Sequence, residues 1–492
     1  MQIPYLPISM SKNEVKIKKL VLRISLITFT FLLSLFILFS SFCSLSIYKF
    51  ANAIIQNDEN LYGKTYVNAG FCINWFTPFE ELAKAFRNKK YIVLLQNNYE
   101  LRASGGFMGS YAVLNFGSTG LETWKVENIY VPDGQLKGHV TPIKPIQQAF
   151  RTGDWRLRDS NWEVDFPKAA KDIEWFFNKG GEENIDGIIA INFSLFENLV
   201  KILGNINVTD YDIKVYPNSL YILTQTYSEK DSFPGSTQKQ SFLNSLGKSM
   251  LNKVKEASVI TKIKITLMLI NELKNGQILI SIKDNNLAQK LNRLNLDGSL
   301  GNYNFDFLYP VESNLGANKA NGYIERSIIQ NVNIKNNKIT SQVTITWKNR
   351  SVYESPKPPS FWGGNYINYE RIVLPKNAIN ITVTVNNKNY LFKNIKDISN
   401  LPRIENDFTY SLEQYGNFQI IGFWVLVPAK YSLSSILSYN LPLKQEQKKY
   451  EVNIKSQPGI KNLEYNLILN GKILVKEILN GNKIYKRNIE KI

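Results

Sequence analysis

"IDGIIAINFSLFENLVKILGNINV", residues 185–208, decides the fold. Ile185–Ile191 is a run of branched apolar residues of the length of one buried strand. Ser194 and Glu197 then stand at capping-box spacing, in which a serine hydroxyl and a glutamate carboxylate satisfy the free N–H groups of a helix start. Leu195, Leu199, Val200 and Leu203 fall on one face of that helix, and Gly204 can end it. A second strand-like run follows. Strand, helix, glycine stop and strand is the pattern of an α/β layer.

Working outward, "LLQNNYELRASGGFMGSY", residues 94–111, sits between two more strand-like runs, Tyr91–Leu95 and Tyr111–Phe116. Its polar loop carries Arg102 and the pair Gly105-Gly106. Two readings fit. The loop is an anion cradle, with glycines that let backbone N–H groups approach the ligand. Or the glycines make a tight turn, and Arg102 pairs with Glu100 or Asp159 to hold the structure. Residues 118–165 read as irregular, and Pro167 opens a helix with Ala169, Ala170, Ile173, Phe176 and Phe177 on one face. Thr77-Pro78-Phe79-Glu80 predicts a short helix to about Arg87. Downstream, helical patterning runs from about Gln238 to Val254 and on to about Leu294. From near Tyr303 to Ile492 the pattern becomes short alternating runs between Asn, Gly, Pro and Lys turns, with Gly363-Gly364 and Asn386-Asn387 as turn positions. That is the pattern of an all-β sandwich-like domain.

The N-terminal stretch 24–47 carries no charge and follows Lys12, Lys16, Lys18, Lys19 and Arg23. Its length predicts a single transmembrane helix, and the positive-inside rule puts the N-terminus in the cytoplasm and the bulk outside it. Cleavage at Ala51-Asn52-Ala53 is the competing reading. The expected organisation is thus a basic tail (1–23), a membrane helix (24–47), a linker with a short helix (48–87), an α/β domain (88–300) and a β-sandwich-like domain (301–492). The protein would then be a single-pass cell-membrane protein of the cell envelope.

Composition narrows the function. With 44% hydrophobic and 20% charged residues the chain is globular. A formal net charge of +18 favours anionic partners, but no zinc finger, RNA-recognition signature or basic zipper is present, which argues against nucleic acid. His139 is the sole histidine and lies in a loop-like stretch, which disfavours a Ser-His-Asp hydrolase and a His/Cys metal cluster. Cys43 lies in the apolar run and Cys72 beyond it, so an internal disulfide is not expected.

Six stretches together resemble a bacterial family, domain of unknown function 4012: residues 94–111, "VPDGQL" (131–136), "RDSNWEVDFPKAA" (158–170), "DGIIAINFSLFENLVKILG" (186–204), "SNLGANKANGYIER" (313–326) and "SQPGI" (456–460). That family brings no activity with it. The α/β half also resembles, more weakly, the LytR-CpsA-Psr family. Those membrane-anchored enzymes hold a polyprenyl pyrophosphate in an apolar tunnel and transfer its glycopolymer with a divalent metal. "LLQNN", "LRASGGF", "LRDSN", residues 189–208 and "STQKQSFLNSL" (236–246) stand at the family's successive motifs.

This second resemblance implies an anion site of Arg102, Gly105, Gly106, Arg158, Asp159, Lys239 and Gln240 beside an apolar tunnel in residues 88–300. The expected ligand is a polyprenyl-phosphate lipid or cell-wall glycopolymer. Asn97 or Asn98 and Ser104 replace the two metal-holding Asp positions, and Leu157 and Lys239 replace a Pro and an Arg. Mg is therefore implied only if the transfer activity is retained, and no metal ligand is assigned. Glu100 and Asp165 are the nearest carboxylates. Trp155, Trp162 and Phe166, around Arg156 and Arg158, suit either a core or a sugar platform. Asn314, Lys319 and Asn321 mark a turn at the domain junction. The alternative to a ligand-binding envelope protein is a non-catalytic structural or adhesive surface protein.

Overall fold

The computed structural model describes residues 86–118, 120–229, 238–303, 305–336, 338–352, 363–385, 411–443 and 447–489, together with residues 34, 38–50, 52 and 68. The chain divides into two units, one of residues 1–87 with 116–122, the other of residues 88–115 with 123–492.

In the first unit, residues 38–50 are helical. Among the described residues no helix is long and apolar enough to cross a membrane. This corrects the expected N-terminal transmembrane helix over 24–47, most of which lies outside the described residues. The described part is too short to cross the ~30 Å hydrocarbon core. Cys43, at its middle, is buried and disulfide-bonded, against the expectation of no internal disulfide. Cys72 lies outside the described residues, as do the capping box at 77–80 and Asn386-Asn387.

The second unit opens with the expected α/β layer. Its strands and helices are β1 (Lys90–Asn97), β2 (Phe107–Phe116), β3 (Leu121–Asn128), α1 (Tyr130–Gln135), α2 (Lys144–Phe150), α3 (Phe166–Lys179), β4 (Gly187–Asn192) and α4 (Phe193–Leu203). They continue with β5 (Ile206–Val208), β6 (Ile213–Val215), α5 (Leu220–Glu229), α6 (Gln238–Glu256), α7 (Val259–Lys274), β7 (Ile278–Ile282) and α8 (Asn285–Arg293). The main sheet has the order β3-β2-β1-β4-β7. β1 runs antiparallel to β2 and parallel to β4. β5 and β6 form a separate ribbon.

Side-chain alternation divides the sheet's contacts. Ile92, Leu94, Tyr111, Val113, Ile188 and Ala190 pack with the apolar stripe of α3, where Ala169, Ala170, Ile173, Phe176 and Phe177 are all buried. Val93, Ala112 and Val126 point the other way, with Leu95, Leu114, Trp124 and Ile191 beside them. On that side lies a helical layer in which α4, α5 and α6 share a core of Val200, Leu203, Leu220, Phe242, Leu246 and Met250.

Two local expectations need correction. Residues 118–165 hold β3, α1, α2 and a short 3-10 turn rather than an irregular run. Their polar, Gly- and Pro-rich composition hid elements of only one or two turns. The helix after β4 is capped at Asn192 rather than Ser194, and Ser194 is buried inside it. The strand runs directly into the helix, so its first turn starts before the serine. Gly204 closes that helix with φ +75°, a conformation that favours glycine.

The remainder is all β: β8 (Asp306–Asn314), β9 (Ile324–Lys335), β10 (Lys338–Asn349), β11 (Tyr366–Pro375), β12 (Ile379–Val385) and β13 (Ser411–Tyr415). Then come β14 (Phe418–Val427), β15 (Ser432–Pro442), β16 (Lys449–Ile454), β17 (Leu463–Leu469), β18 (Lys472–Leu479) and β19 (Lys483–Asn488). They form two six-stranded sheets, β12-β15-β10-β9-β17-β18 and β13-β14-β11-β8-β16-β19. The sandwich core also takes in Leu101, Ile146 and Trp162 from the α/β layer, so the two layers share one apolar core.

Candidate functional site

All six stretches singled out in the sequence meet where the α/β sheet joins the sandwich. The loop between β1 and β2 enters this joint with Arg102, only 2% exposed. Its Nη1 donates to the carbonyls of Leu101 and Asn314. Its Nη2 donates to Glu100 Oε1 at 3.1 Å and Asp159 Oδ1 at 3.3 Å. Its guanidinium lies over the Phe107 ring, 5.5 Å from the centroid. Burial pushes the Glu100 carboxyl up, and Arg102 and Lys319 oppose that shift.

The other motifs close around the same loop. Leu101 N donates to Asn321 Oδ1, and Gln457 Nε2 donates to the carbonyls of Arg102 and Glu312. Asn98 Nδ2 donates to Gly459 O, and Gly459 N donates to Gln277 Oε1. Gly105 and Gly106 serve close packing. A Cβ on Gly105 would lie 2.2 Å from Asn192 Oδ1, and one on Gly106 would lie 2.4 Å from the carbonyl carbon and oxygen of Asn97.

Arg158 and Asp159 join Arg102, whereas Gln240 does not. Asp159 lies between the two arginines, with Arg158 Nε 3.7 Å from its Oδ2. Arg158 Nη1 donates to Asp133 Oδ2 at 2.5 Å, and Asp133 Oδ1 accepts from Leu157 N at 2.7 Å. Asp133, which burial pushes up, lies in "VPDGQL" and was not singled out for a role from the sequence. Only its place in that stretch pointed to it. Gln240 Nε2 donates to Glu127 of β3. Lys239 lies in the first turn of α6.

The positions that would hold a metal do not fit one. Ser104 Oγ accepts from Gln96 Nε2 at 2.5 Å and Asn161 Nδ2 at 2.9 Å. Asn97 Oδ1 accepts from Tyr99 N at 3.1 Å. Amide donors thus occupy the oxygens of Ser104 and Asn97, whereas Asn98 Oδ1 is buried with no hydrogen-bond partner. Among the described residues no cluster of three His, Cys, Asp or Glu could hold a metal ion.

Beside this joint lies a cavity of about 500 Å³ between the main sheet and the helical layer. Its floor is Val93, Leu95, Ala112, Leu114, Trp124, Val126 and Ile191 from β1 to β4. Its roof is Phe193, Phe196 and Leu199 of α4, Leu220 of α5, and Leu243, Leu246, Met250 and Leu251 of α6. Gly109, Ala112 and Gly247 also line it, and Gly247 lets the Trp124 ring of β3 come close to α6. Its polar lining is Gln96, Asn97, Glu100, Ser110, Thr224, Gln225 and Lys319. The LytR-CpsA-Psr resemblance implied a tunnel in residues 88–300 opening near Arg102 and Arg158. The cavity is present, but Glu100 and Lys319 line it while the two arginines stand outside the lining.

The geometry defines a two-layer α/β module with an apolar cavity, joined to a β-sandwich through a buried polar core. Residues 87–227 match the family model described as protein of unknown function (DUF4012). That segment runs from β1 into α5, and there the resemblance read from the sequence stands. No curated protein matches the chain.

Among solved structures, the chain is similar to TagV of B. subtilis, at 16% identity over 44% of this chain and 81% of that one, TM-score 0.26. It is similar to the Lin1025 protein of Listeria innocua, at 12% identity over 43% and 80%, TM-score 0.23. A putative nutrient binding protein of Legionella pneumophila matches at 10% identity over 30% of this chain, TM-score 0.20, and the chain spans half of that protein's length. Overlaps this small do not establish a shared fold.

Proposed function

We propose that the α/β module binds an amphiphile with a long apolar chain, of the polyprenyl-phosphate kind, as a non-catalytic envelope protein. The observation that carries this is the cavity itself, with its apolar walls and its polar groups grouped beside Glu100 and Lys319. An apolar chain there gains about 0.8 kcal/mol for each buried methylene. The absence of carboxylates at the two replaced positions supports binding without metal-assisted transfer. The disulfide at Cys43 fits an oxidising, extracytoplasmic compartment.

Native mass spectrometry of the full chain with a short polyprenyl phosphate tests the reading. Wild-type protein is expected to bind one equivalent. Ala112→Phe and Leu243→Phe, which fill the cavity from opposite walls, are expected to fold and to lose it. Binding that both variants retain would overturn the reading.

A further inference from the structure

Helix α7 is apolar on both sides. Its inner side is fixed to the helical layer that roofs the cavity. Ile265 is buried in the core that holds Val200 and Leu203 of α4, and Asn198 of α4 donates to Glu272 Oε1 at 3.0 Å. Its outer side carries Ile260 and Leu267, 67% and 61% exposed, with Ile270 at 39%. Residues seven and three apart fall on one helical face. A single exposed leucine or isoleucine is ordinary, whereas a file of three along one helix marks a surface that something else covers.

The charges around that face have one sign. Lys264 and Lys274 are exposed on the same side, and Lys262 is half-buried. The helix's single acid, Glu272, points inward and is 9% exposed. A second copy of this chain would lay these lysines against one another, because a twofold contact pairs a patch with itself. An anionic bilayer takes both kinds of group. The apolar side chains enter the acyl boundary, and the lysine stems lie along them while their ammonium groups reach the phosphates. The helix has 16 residues and rises about 24 Å, less than the ~30 Å hydrocarbon core, so it would lie on a bilayer and not cross it.

We infer that the outer face of α7 docks the α/β module on an anionic lipid bilayer, with the helix lying in the headgroup plane. This goes beyond chain binding and does not depend on it, but the two fit together. A long-chain amphiphile resides in a bilayer because water disfavours its chain. A helix seated there would hold the cavity's layer against the store of such chains.

Site-directed fluorescence on the full chain tests this. A nitrobenzoxadiazole label is attached in turn through Ile260→Cys, Leu267→Cys and, as a control on the sandwich, the exposed Lys348→Cys. The unsubstituted chain, carried through the same labelling, is the blank. Vesicles of equimolar phosphatidylglycerol and phosphatidylcholine bearing nitroxide on their acyl chains are expected to quench both α7 labels and spare the control. Lys264→Gln and Lys274→Gln are each expected to raise the lipid concentration for half-quenching about fivefold. Labels on α7 that stay bright, that quench no more than the control, or that quench equally in pure phosphatidylcholine would overturn the inference. A label already shielded without vesicles would show that protein covers the face, and would overturn it too. Decyl phosphate titrated into the same variants by calorimetry reports the cavity separately, so the failure of either reading is seen apart from the other.

Discussion

Replacing Arg102 by methionine separates a structural arginine from a ligand-binding one. Methionine keeps much of the aliphatic length and removes the charge. Arg102 is almost completely buried and makes four hydrogen bonds, two to carboxylates and two to carbonyls, across the joint between the layers. The variant leaves Glu100 and Asp159 buried without their shared cation. Removing one partner of a buried ion pair costs about 3–5 kcal/mol, which lowers the unfolding midpoint by about 5 °C in a unit of this size.

The pH dependence gives a second signature. Burial already pushes Glu100 up, and Arg102 is the largest influence holding it down. Without the guanidinium, Glu100 takes up a proton more readily. The deficit should therefore shrink as pH falls from neutrality toward about 5. Thermal unfolding followed by circular dichroism at the two pH values, with decyl phosphate binding measured alongside, checks both. A variant as stable as wild type at neutral pH but unable to bind the phosphate would refute the structural assignment and make Arg102 an anion ligand.

Three further outcomes follow from buried groups elsewhere. Gly106→Ala is expected to cost about 3 kcal/mol, because its Cβ would meet the Asn97 backbone at 2.4 Å; unchanged denaturant unfolding would refute that packing. Lys455 is buried with its Nζ donating to the carbonyls of Gly298 and Ser299, and burial pushes its pKa from 10.5 down to about 8. The unfolded chain then binds more protons between those values, so stability should rise by up to about 3 kcal/mol as pH climbs from 8 toward 10.5. Lys455→Met should lack that rise in a pH series of unfolding midpoints. Asp306 accepts from Tyr450, Tyr439 and Gln330, and burial raises its pKa from 3.8 to about 6. Its folded form holds the proton longer, so its contribution should fall by about 3 kcal/mol between those values as pH rises. Asp306→Asn should flatten that part of the profile.

The α/β layer was legible because its signals are local. The run through Ile185–Ile191, the stripe of Leu195, Val200 and Leu203, and the stop at Gly204 each report on neighbours in sequence. The stripe of α3 and the switch to two-residue alternation after Tyr303 were legible for the same reason. Lengths below two turns defeated the reading of residues 118–165, since one or two turns cannot establish a helical period. The membrane helix failed differently. Hydropathy reports how apolar a run is, and among the described residues no helix is both long and apolar enough to cross a membrane.

The site divides along the same line. Arg102, Arg158 and Asp159 were found because charged residues stand out in apolar surroundings, and Arg102 pairs with both Glu100 and Asp159, the partners named in the structural alternative. Their partners Asp133, Asn314 and Gln457 come from 25 to 355 residues away in the bonds they make, a range at which spacing carries no signal. The cavity was expected only through a family resemblance. Its walls come from β1 to β4, α4, α5 and α6, which no single stretch reveals.

The central claim is that the cavity holds an apolar chain, and chain length tests it most directly. Alkyl phosphates of increasing length would be titrated into the full chain by calorimetry below their micellar concentrations. At about 0.8 kcal/mol per methylene, affinity should rise about fourfold per carbon. At about 30 Å³ per chain group, the volume of one water, the rise should break at about seventeen carbons, where 500 Å³ is full. Ala112→Phe should move the break to shorter chains. Affinity that ignores chain length, or climbs with no break in both proteins, would mean the chains bind elsewhere and would contradict the account.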